Sequence, residues 1–216
     1  GGFKTKVIST TKIGQVHLMY SGNFKDLETY FIHIKSQLLT DTNAISRNMK
    51  QRGGGILDIE LIDKTEALEN YYQLHATFET LDAMGANFIN SCLEQFAQTF
   101  EEHAIFFTEI DSEKLDIIMS ILSNYVPNCL VRAEVNCPVS ELNEDEDIQP
   151  QNFAKKFLQA IRIAEVEPYR AVTHNKGIMN GVDAVVLATG NDFRAVEAGV
   201  HAYASKKGHY QSLTKA

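Results

Sequence analysis

Two charged residues in the last third of the chain have types and surroundings that suit chemistry. Lys176 lies between the polar run 173–175 and Gly177, whereas a surface-helix lysine usually has Glu, Gln or Ala around it. Asp192 stands alone after the small turn of residues 188–191. A lysine in this setting can stabilise developing negative charge, and an aspartate can tune the proton affinity of that lysine. The same residue types are also compatible with an ordinary buried ion pair.

The elements around these two residues must bring them together. Helical spacing predicts one helix over residues 174–187 and another over 193–206, with Asn191 or Asp192 near the cap of the second. A straight helix spanning 174–187 is about 21 Å long. The two charged residues therefore cannot meet along one helix, and the chain must turn back around Gly190.

Composition excludes several classes of protein. The chain has 28 acidic against 20 basic residues and a net charge of −8, which argues against nucleic-acid binding. Its three cysteines stand in unrelated contexts and indicate reduced thiols in a cytoplasmic protein. No apolar run reaches the roughly 18 residues of a membrane span. No metal is expected, because HxxxH and CxxC spacings do not occur.

Hydrophobic periodicity predicts an α+β fold. Period-two alternation predicts strands, and spacing of three to four predicts helices. The predicted strands are 13–20, 57–62, 72–78 and a more buried 117–123, and the predicted helices are 24–40 and 82–101. Asn23 resembles an N-cap of the first helix, and Met84 lies on the apolar stripe of the second. The apolar stripe of the first helix is Leu27, Tyr30, Phe31, Ile34 and Leu38. This β-α-β-β-α-β order is the ferredoxin-like arrangement, in which two helices cover one face of a four-stranded antiparallel sheet. A Rossmann unit is excluded, because no GxGxxG follows a strand.

The chain beyond residue 124 has a different pattern. It predicts a strand over 130–139, a solvated charge run at 144–147 and a helix over about 151–166. The chain begins without an initiator methionine, at Gly1, and we expect it to be a fragment of a longer protein.

Five sequence blocks carry a family resemblance. They are RGGG at 52–55, LDAMGANFIN at 81–90, ILSN at 121–124, THNKGIMNG at 173–181 and ATGNDFRAVEAG at 188–199. In this order they resemble the class II, mostly bacterial, 3-hydroxy-3-methylglutaryl-coenzyme A reductases. The resemblance implies a small cofactor-binding domain, residues 13–125, inserted into a larger mixed α/β substrate domain. Residues 1–12 and 126–216 would be pieces of that larger domain.

The resemblance implies an oxidoreductase that interconverts hydroxymethylglutaryl-CoA and mevalonate with two NAD(P)H, through bound mevaldehyde. Lys176 would be the catalytic lysine that stabilises the oxyanion, and Asp192 the aspartate that tunes it. Arg170 would hold the free carboxylate of the substrate, a task that suits a guanidinium fork, and Asn180 would contact the substrate. Taken alone, Arg170 and Asn180 could also be helix-surface residues.

The resemblance also implies a set of cofactor contacts, all in the first 125 residues: Asp82, Met84, Gly85, Asn87 and Asn124. A helix that starts near Gly85 and Ala86 lets the backbone approach a phosphate, and its N–H groups favour anions. The alternative is that Gly85 and Ala86 only allow close helix packing.

The cofactor preference rests on a position before the glycine triplet. In some members of the family an acid about seven residues before the triplet favours NAD. Counting back from Gly53 gives 53 − 7 = 46, which is the uncharged Ser46. Arg47 beside it, with Lys50 and Arg52, could pair with a 2′-phosphate. We therefore favour NADP over NAD, the alternative being that these bases form a solvated helix face.

The resemblance further implies a homodimer with its active site between subunits, and partners that are the acyl-CoA, mevalonate and coenzyme A. The family's catalytic glutamate and thiolate-protonating histidine belong to segments absent from this chain, so the chain alone is expected to be inactive. The rival interpretation is a non-catalytic ferredoxin-like binding or regulatory module. RNA-binding members of that class use exposed aromatics on central strands, and strand 57–62 has none.

Overall fold

The computed structural model describes residues 2–142 and 147–216. The strands are β1 (Lys4–Tyr20), β2 (Gly55–Asp63), β3 (Tyr71–Glu79), β4 (Leu115–Leu122) and β5 (Cys129–Glu134). The helices are α1 (Phe24–Asp41), α2 (Asn43–Gln51), α3 (Ala86–Ala104), α4 (Pro150–Val166), α5 (Pro168–Ala188) and α6 (Phe193–Ala204). Most of the predicted charge run at 144–147 lies outside the described residues.

The chain forms two compact units. We call Ser9–Leu130 the sheet unit, and Gly1–Ile8 with Val131–Ala216 the helical unit. Among the described residues, the helices lack the combination of length and apolar composition that a membrane span requires.

The sheet unit is built on an antiparallel sheet of strand order β2-β3-β1-β4, and β5 pairs with β1 outside this path. The register places Val16 of β1 between Leu74 of β3 and Ser120 of β4. The predicted α+β class and antiparallel sheet are confirmed.

The core of the sheet unit follows the predicted periodicities. Alternate residues of β1 and β3 are buried, and α1 buries the residues predicted from its helical spacing: Leu27, Tyr30, Phe31, Ile34 and Leu38. The Tyr30 hydroxyl donates to the Phe100 carbonyl oxygen of α3 at 2.6 Å, which satisfies the one polar atom of this buried ring. Asn23 caps α1 by accepting from the Lys25 N–H, as the sequence predicted.

The prediction that the fourth strand is more buried is wrong. Ile118, Met119 and Ile121 of β4 are about half exposed. The reason is topological, because β4 lies at the edge of the sheet path. An apolar run alone does not distinguish an edge strand from a central one.

Strand β2 departs from its predicted alternation at Leu57, which is 55% exposed. The β2–β3 register shifts between Ile56 and Asp58. Such a bulge inserts one unpaired residue and changes the face to which the next side chains point. Four element boundaries also differ from prediction by four residues or more. β1 begins at Lys4 rather than 13, α3 at Ala86 rather than 82, α5 at Pro168 rather than 174, and β5 ends at Glu134 rather than 139.

The helical unit contains α4, α5 and α6. Pro150 and Pro168 stand in the first turns of α4 and α5, where a missing N–H has no cost. The fully buried Asn175 of α5 fixes the C-terminal segment, because its amide donates to the Gln211 carbonyl and accepts from the Leu213 N–H, both at 2.9 Å.

Candidate functional site

One face of α5 carries three of the predicted site residues. Arg170, Lys176 and Asn180 are exposed, whereas Ala171 and Met179 of the same helix are buried. At about 100° per residue, the three exposed residues fall within about 120° of arc. Lys176 and Asn180 are one turn apart and are therefore neighbours. Helical spacing thus gathers a guanidinium, an ammonium and a carboxamide on one accessible surface.

Lys176 makes no ion pair within the described part of the chain, so the buried pair that the residue types alone allow is not formed there. An exposed ammonium with free donors can bind an anionic or carbonyl oxygen. Gly177, next to it, has open space where a Cβ would stand. The surface around Lys176 is therefore accessible to a ligand.

Asp192 occupies the N-cap of α6, as predicted. Its carboxylate accepts from the N–H groups of Arg194 at 3.0 Å and Ala195 at 3.3 Å. The hydrogen bond from Ala195, with the nearby Arg194 charge, holds the pKa of this carboxyl below its ordinary value. Gly190 has a φ of 71° and makes the predicted turn between α5 and α6. Asp192 is therefore held in a fixed position as an anion.

The cofactor candidates lie at one end of the sheet unit. Gly55 at the start of β2 pairs with Glu79 at the end of β3, and the predicted cofactor segment follows Glu79 directly. The Arg52 guanidinium contacts the Asp82 carboxylate at 2.5 Å. The glycine triplet and the segment from Asp82 to Asn87 are therefore adjacent in space, although they are about thirty residues apart in sequence.

Helix α3 begins at this end without a side-chain cap. Gly85 stands at its N-cap with a φ of 78°, and its first turn has no acidic residue. Unpaired N–H groups at a helix N-terminus attract anions. The Asn90 side chain accepts from the Leu122 N–H at 3.0 Å, which ties α3 to the end of β4, two residues before Asn124. Uncapped donors suit a phosphate-bearing cofactor.

The segment before α3 is held in an uncommon conformation. Leu81 has a φ of 56°, which non-glycine residues rarely adopt. Its N–H donates to the Glu79 carboxylate at 2.6 Å, and the Thr80 hydroxyl donates to the Ala83 carbonyl at 2.7 Å. Strain of this kind clusters at ligand-binding sites. Met84, predicted on the apolar stripe of the helix, is 46% exposed here, beside the exposed Asp82 and Asn87.

The family model described as hydroxymethylglutaryl-coenzyme A reductase matches residues 1–215. The chain belongs to this family. It is 32% identical over 214 residues to the 3-hydroxy-3-methylglutaryl-coenzyme A reductase of Archaeoglobus fulgidus, covering 99% of this chain and 45% of the relative. It is 36% identical over 197 residues to a probable reductase of Borreliella burgdorferi, covering 91% of this chain and 43% of that protein.

Solved reductases have the same fold. The reductase of Streptococcus pneumoniae matches with a TM-score of 0.80 and 39% identity, over 99% of this chain and 48% of that one. Another structure, the class II enzyme of the same organism bound to NADPH in open conformations, matches equally well over 55% of its chain. The predicted class II assignment is confirmed, and the rival of a non-catalytic module gains no support. The chain spans about half the length of the curated relatives.

Ser46 and Arg47 lie a few residues before the motif RGGG. The structure buries one of these two predicted cofactor residues and exposes the other. Ser46 is fully buried, with its hydroxyl 3.4 Å from the Asn43 carbonyl. Arg47 is exposed. One residue along a helix changes the direction of a side chain by about 100°. The structure therefore directs Ser46 into the protein, and only Arg47 faces solvent.

The close approach of Thr80 to Gly85, in the motif LDAMGANFIN, can be tested by substitution. A Cβ on Gly85 would lie 2.5 Å from Thr80 Cγ2, whereas a Cβ on Gly53 would meet nothing within 4 Å. Both glycines have positive φ. We expect Gly53→Ala to cost about 1 kcal/mol from strain and Gly85→Ala about 1–3 kcal/mol more from overpacking. Urea unfolding measures both, and equal losses would contradict the steric argument.

Sequence reasoning missed two features of these sites. It named Arg52 only as a possible phosphate ligand and not as the partner of Asp82. It also missed Asp183, whose Oδ1 is buried and has no hydrogen-bond partner among the described residues. An acid within the apolar run 182–187 is the signal that could have identified Asp183.

Proposed function

We propose that this chain is part of an NADP-dependent hydroxymethylglutaryl-CoA reductase that interconverts hydroxymethylglutaryl-CoA and mevalonate. The observation that carries the proposal is the exposed face of α5, on which Arg170 stands with Lys176 and Asn180 of the block THNKGIMNG. The NADPH named with the Streptococcus pneumoniae enzyme supports the cofactor class.

In this proposal the residues of α5 bind the substrate and stabilise the charge that develops on it. Arg170 binds the free carboxylate of the acyl group through its planar guanidinium. Lys176 donates to the thioester carbonyl oxygen and stabilises the negative charge that develops there. Asn180 orients the substrate one turn away. Asp192 acts on Lys176 as a fixed anion. A nicotinamide cofactor, when bound, would supply the hydride.

We further propose that the sheet unit is the small cofactor domain, within the predicted bounds 13–125 and with the ferredoxin-like arrangement. Residues 1–12 and 126–216 would belong to the substrate domain. The strand order β2-β3-β1-β4, with α1 and α3 packed on one face, supports this arrangement. Asp82, Met84, Gly85, Asn87 and Asn124 would contact the cofactor, whose phosphates would face the N–H groups of α3.

The whole enzyme would be a cytoplasmic homodimer that binds coenzyme A, as the family resemblance implies. Several large apolar side chains of the helical unit are highly exposed, among them Tyr169 at 86% and Val166 at 81%. Exposed apolar residues of this size commonly mark surfaces that other chain segments or subunits cover.

Cofactor choice gives a direct test. Among the described residues Arg47 has no ionic partner, whereas Lys50 donates to Asn43 at 2.7 Å and Arg52 pairs with Asp82. We therefore expect Arg47 to bind the 2′-phosphate. In the full-length reductase, Arg47→Ala should lower kcat/KM for NADPH about tenfold, about 1.4 kcal/mol, with little change for NADH.

The control is Lys25→Ala, which removes an exposed positive charge from the first turn of α1. Steady-state kinetics with each cofactor compare the two variants. A wild-type preference for NADH, or equal losses for both cofactors in Arg47→Ala, would contradict the assignment. Ser46→Asp is not a suitable test, because it would bury a charge.

A further inference from the structure

A lysine and a cysteine contact each other in the sheet unit. Lys12 of β1 and Cys129 at the start of β5 are 117 residues apart in sequence, yet Lys12 Nζ lies 2.8 Å from Cys129 Sγ. Both residues are half-buried. Neither belongs to the sequence blocks that carry the family resemblance.

The distance is short for the atoms involved. N–H···O hydrogen bonds are typically about 2.9 Å long, and sulfur is a larger atom than oxygen. A thiol sulfur is also only a weak hydrogen-bond acceptor. The structure has this contact as a hydrogen bond from the lysine nitrogen to the sulfur. One oxygen atom bonded to both nitrogen and sulfur would join two atoms that already lie this close.

The contact closes a loop. At its beginning, the Ser123 N–H donates to the Ile13 carbonyl at 2.9 Å. At its end, Cys129 meets Lys12. Both ends of residues 123–129 are thus attached to adjacent residues of β1, and the loop between them contains Asn124.

We propose that Lys12 and Cys129 form a reversible covalent N–O–S cross-link under oxidising conditions, which clamps the loop of residues 123–129. The oxidant is a peroxide. The cross-link itself does not depend on the reductase activity. Its effect on the cofactor, through Asn124, rests on the proposed function.

The reaction balances with two molecules of hydrogen peroxide. The first oxidises the Cys129 thiol to the sulfenic acid and leaves water. The second oxidises the neutral Lys12 amine to a hydroxylamine and leaves a second water. The hydroxylamine oxygen then attacks the sulfenic sulfur, the O–S bond forms, and the sulfenic hydroxyl leaves with the hydroxylamine proton as a third water. A dithiol reductant returns the four electrons and restores thiol and amine.

The other two cysteines provide internal comparisons. Burial raises the pKa of the Cys92 thiol to about 12, so it stays protonated and unreactive at neutral pH. Cys137 is exposed. A general reaction of accessible thiols would therefore modify Cys137 as well as Cys129, whereas the cross-link requires Lys12.

The test is peptide mass spectrometry of the purified chain after treatment with hydrogen peroxide. The expected product joins the Lys12 and Cys129 peptides with a gain of one oxygen and a loss of two hydrogens, and it disappears with dithiothreitol. Cys137→Ser should retain this product, whereas Cys129→Ser and Lys12→Arg should lose it. Hydrogen exchange of residues 124–128 should be slower in the cross-linked protein.

Absence of the linked peptide from the treated wild-type protein would overturn the proposal, whether or not any variant folds. So would a Cys129 sulfinic acid with Lys12 unmodified, a Cys129–Cys137 disulfide as the product, or a linked peptide that persists in Lys12→Arg. The mass spectrum requires no catalysis. The linked peptide can therefore be found in a protein without reductase activity, and it can be absent from an active reductase, so the two proposals fail independently.

Discussion

Lys176→Ala is expected to lower kcat of the full-length reductase at least about a hundredfold, the typical cost of removing one oxyanion-stabilising donor. Cofactor affinity should change little, because the proposed role of Lys176 is to stabilise the oxyanion that develops on the substrate. Steady-state kinetics and direct NADPH titration measure the two effects separately.

The matched control is Lys156→Ala, which removes an exposed helical lysine from α4 of the same unit. It should leave kcat unchanged. A decrease of less than tenfold in Lys176→Ala, about 1.4 kcal/mol, would refute the catalytic assignment. Equal effects of the two variants would instead indicate a general effect of surface charge.

Asp192→Asn is expected to lower kcat about a hundredfold while leaving the thermal unfolding midpoint nearly unchanged. Asparagine is as good an N-cap as aspartate, so the hydrogen bonds to the N–H groups of Arg194 and Ala195 can be kept. The charge proposed to act on Lys176 is lost, together with the ion pair to Arg194 at 3.4 Å, and an exposed pair of this kind contributes little to stability. Asp192→Ala should lose both charge and cap, and should therefore lower the midpoint as well.

The pH dependence of unfolding distinguishes the charge of Asp192 from its role as a helix cap. The folded pKa of Asp192 is below 3.8, mainly through the Ala195 hydrogen bond. A depressed folded pKa gives stability that is present above pH 3.8 and is lost as the pH falls through the folded value. Asp192→Asn should lack this part of the acid dependence. An Asn variant with normal kcat would show that Asp192 is only a helix cap.

Local sequence determined the elements whose signals are short in range. Period-two alternation located β1 and β3, and helical spacing identified each of the α1 residues that the structure buries. Asn23 and Asp192 were recognisable as caps because a cap needs only its own side chain and the next few N–H groups. The five sequence blocks identified the family, which the comparisons confirmed.

Tertiary structure decided the features that depend on partners distant in the chain. The exposed positions of β4 follow from its place at the sheet edge, and the exposure of Leu57 follows from its register against β3. Helix α3 begins late because Leu81 and Gly85 adopt positive φ, which excludes them from a right-handed helix.

By itself, the sequence determined the family, the α+β class and the set of reactive residue types, because motifs and periodicities are properties of neighbouring residues. It did not determine which of those residues face solvent or which side chains contact each other. The burial of Ser46, the pairing of Arg52 with Asp82 and the contact of Lys12 with Cys129 each required the packed structure. The physical reason is that such contacts join side chains from separate elements, and only the folded sheet and its helices bring those elements together.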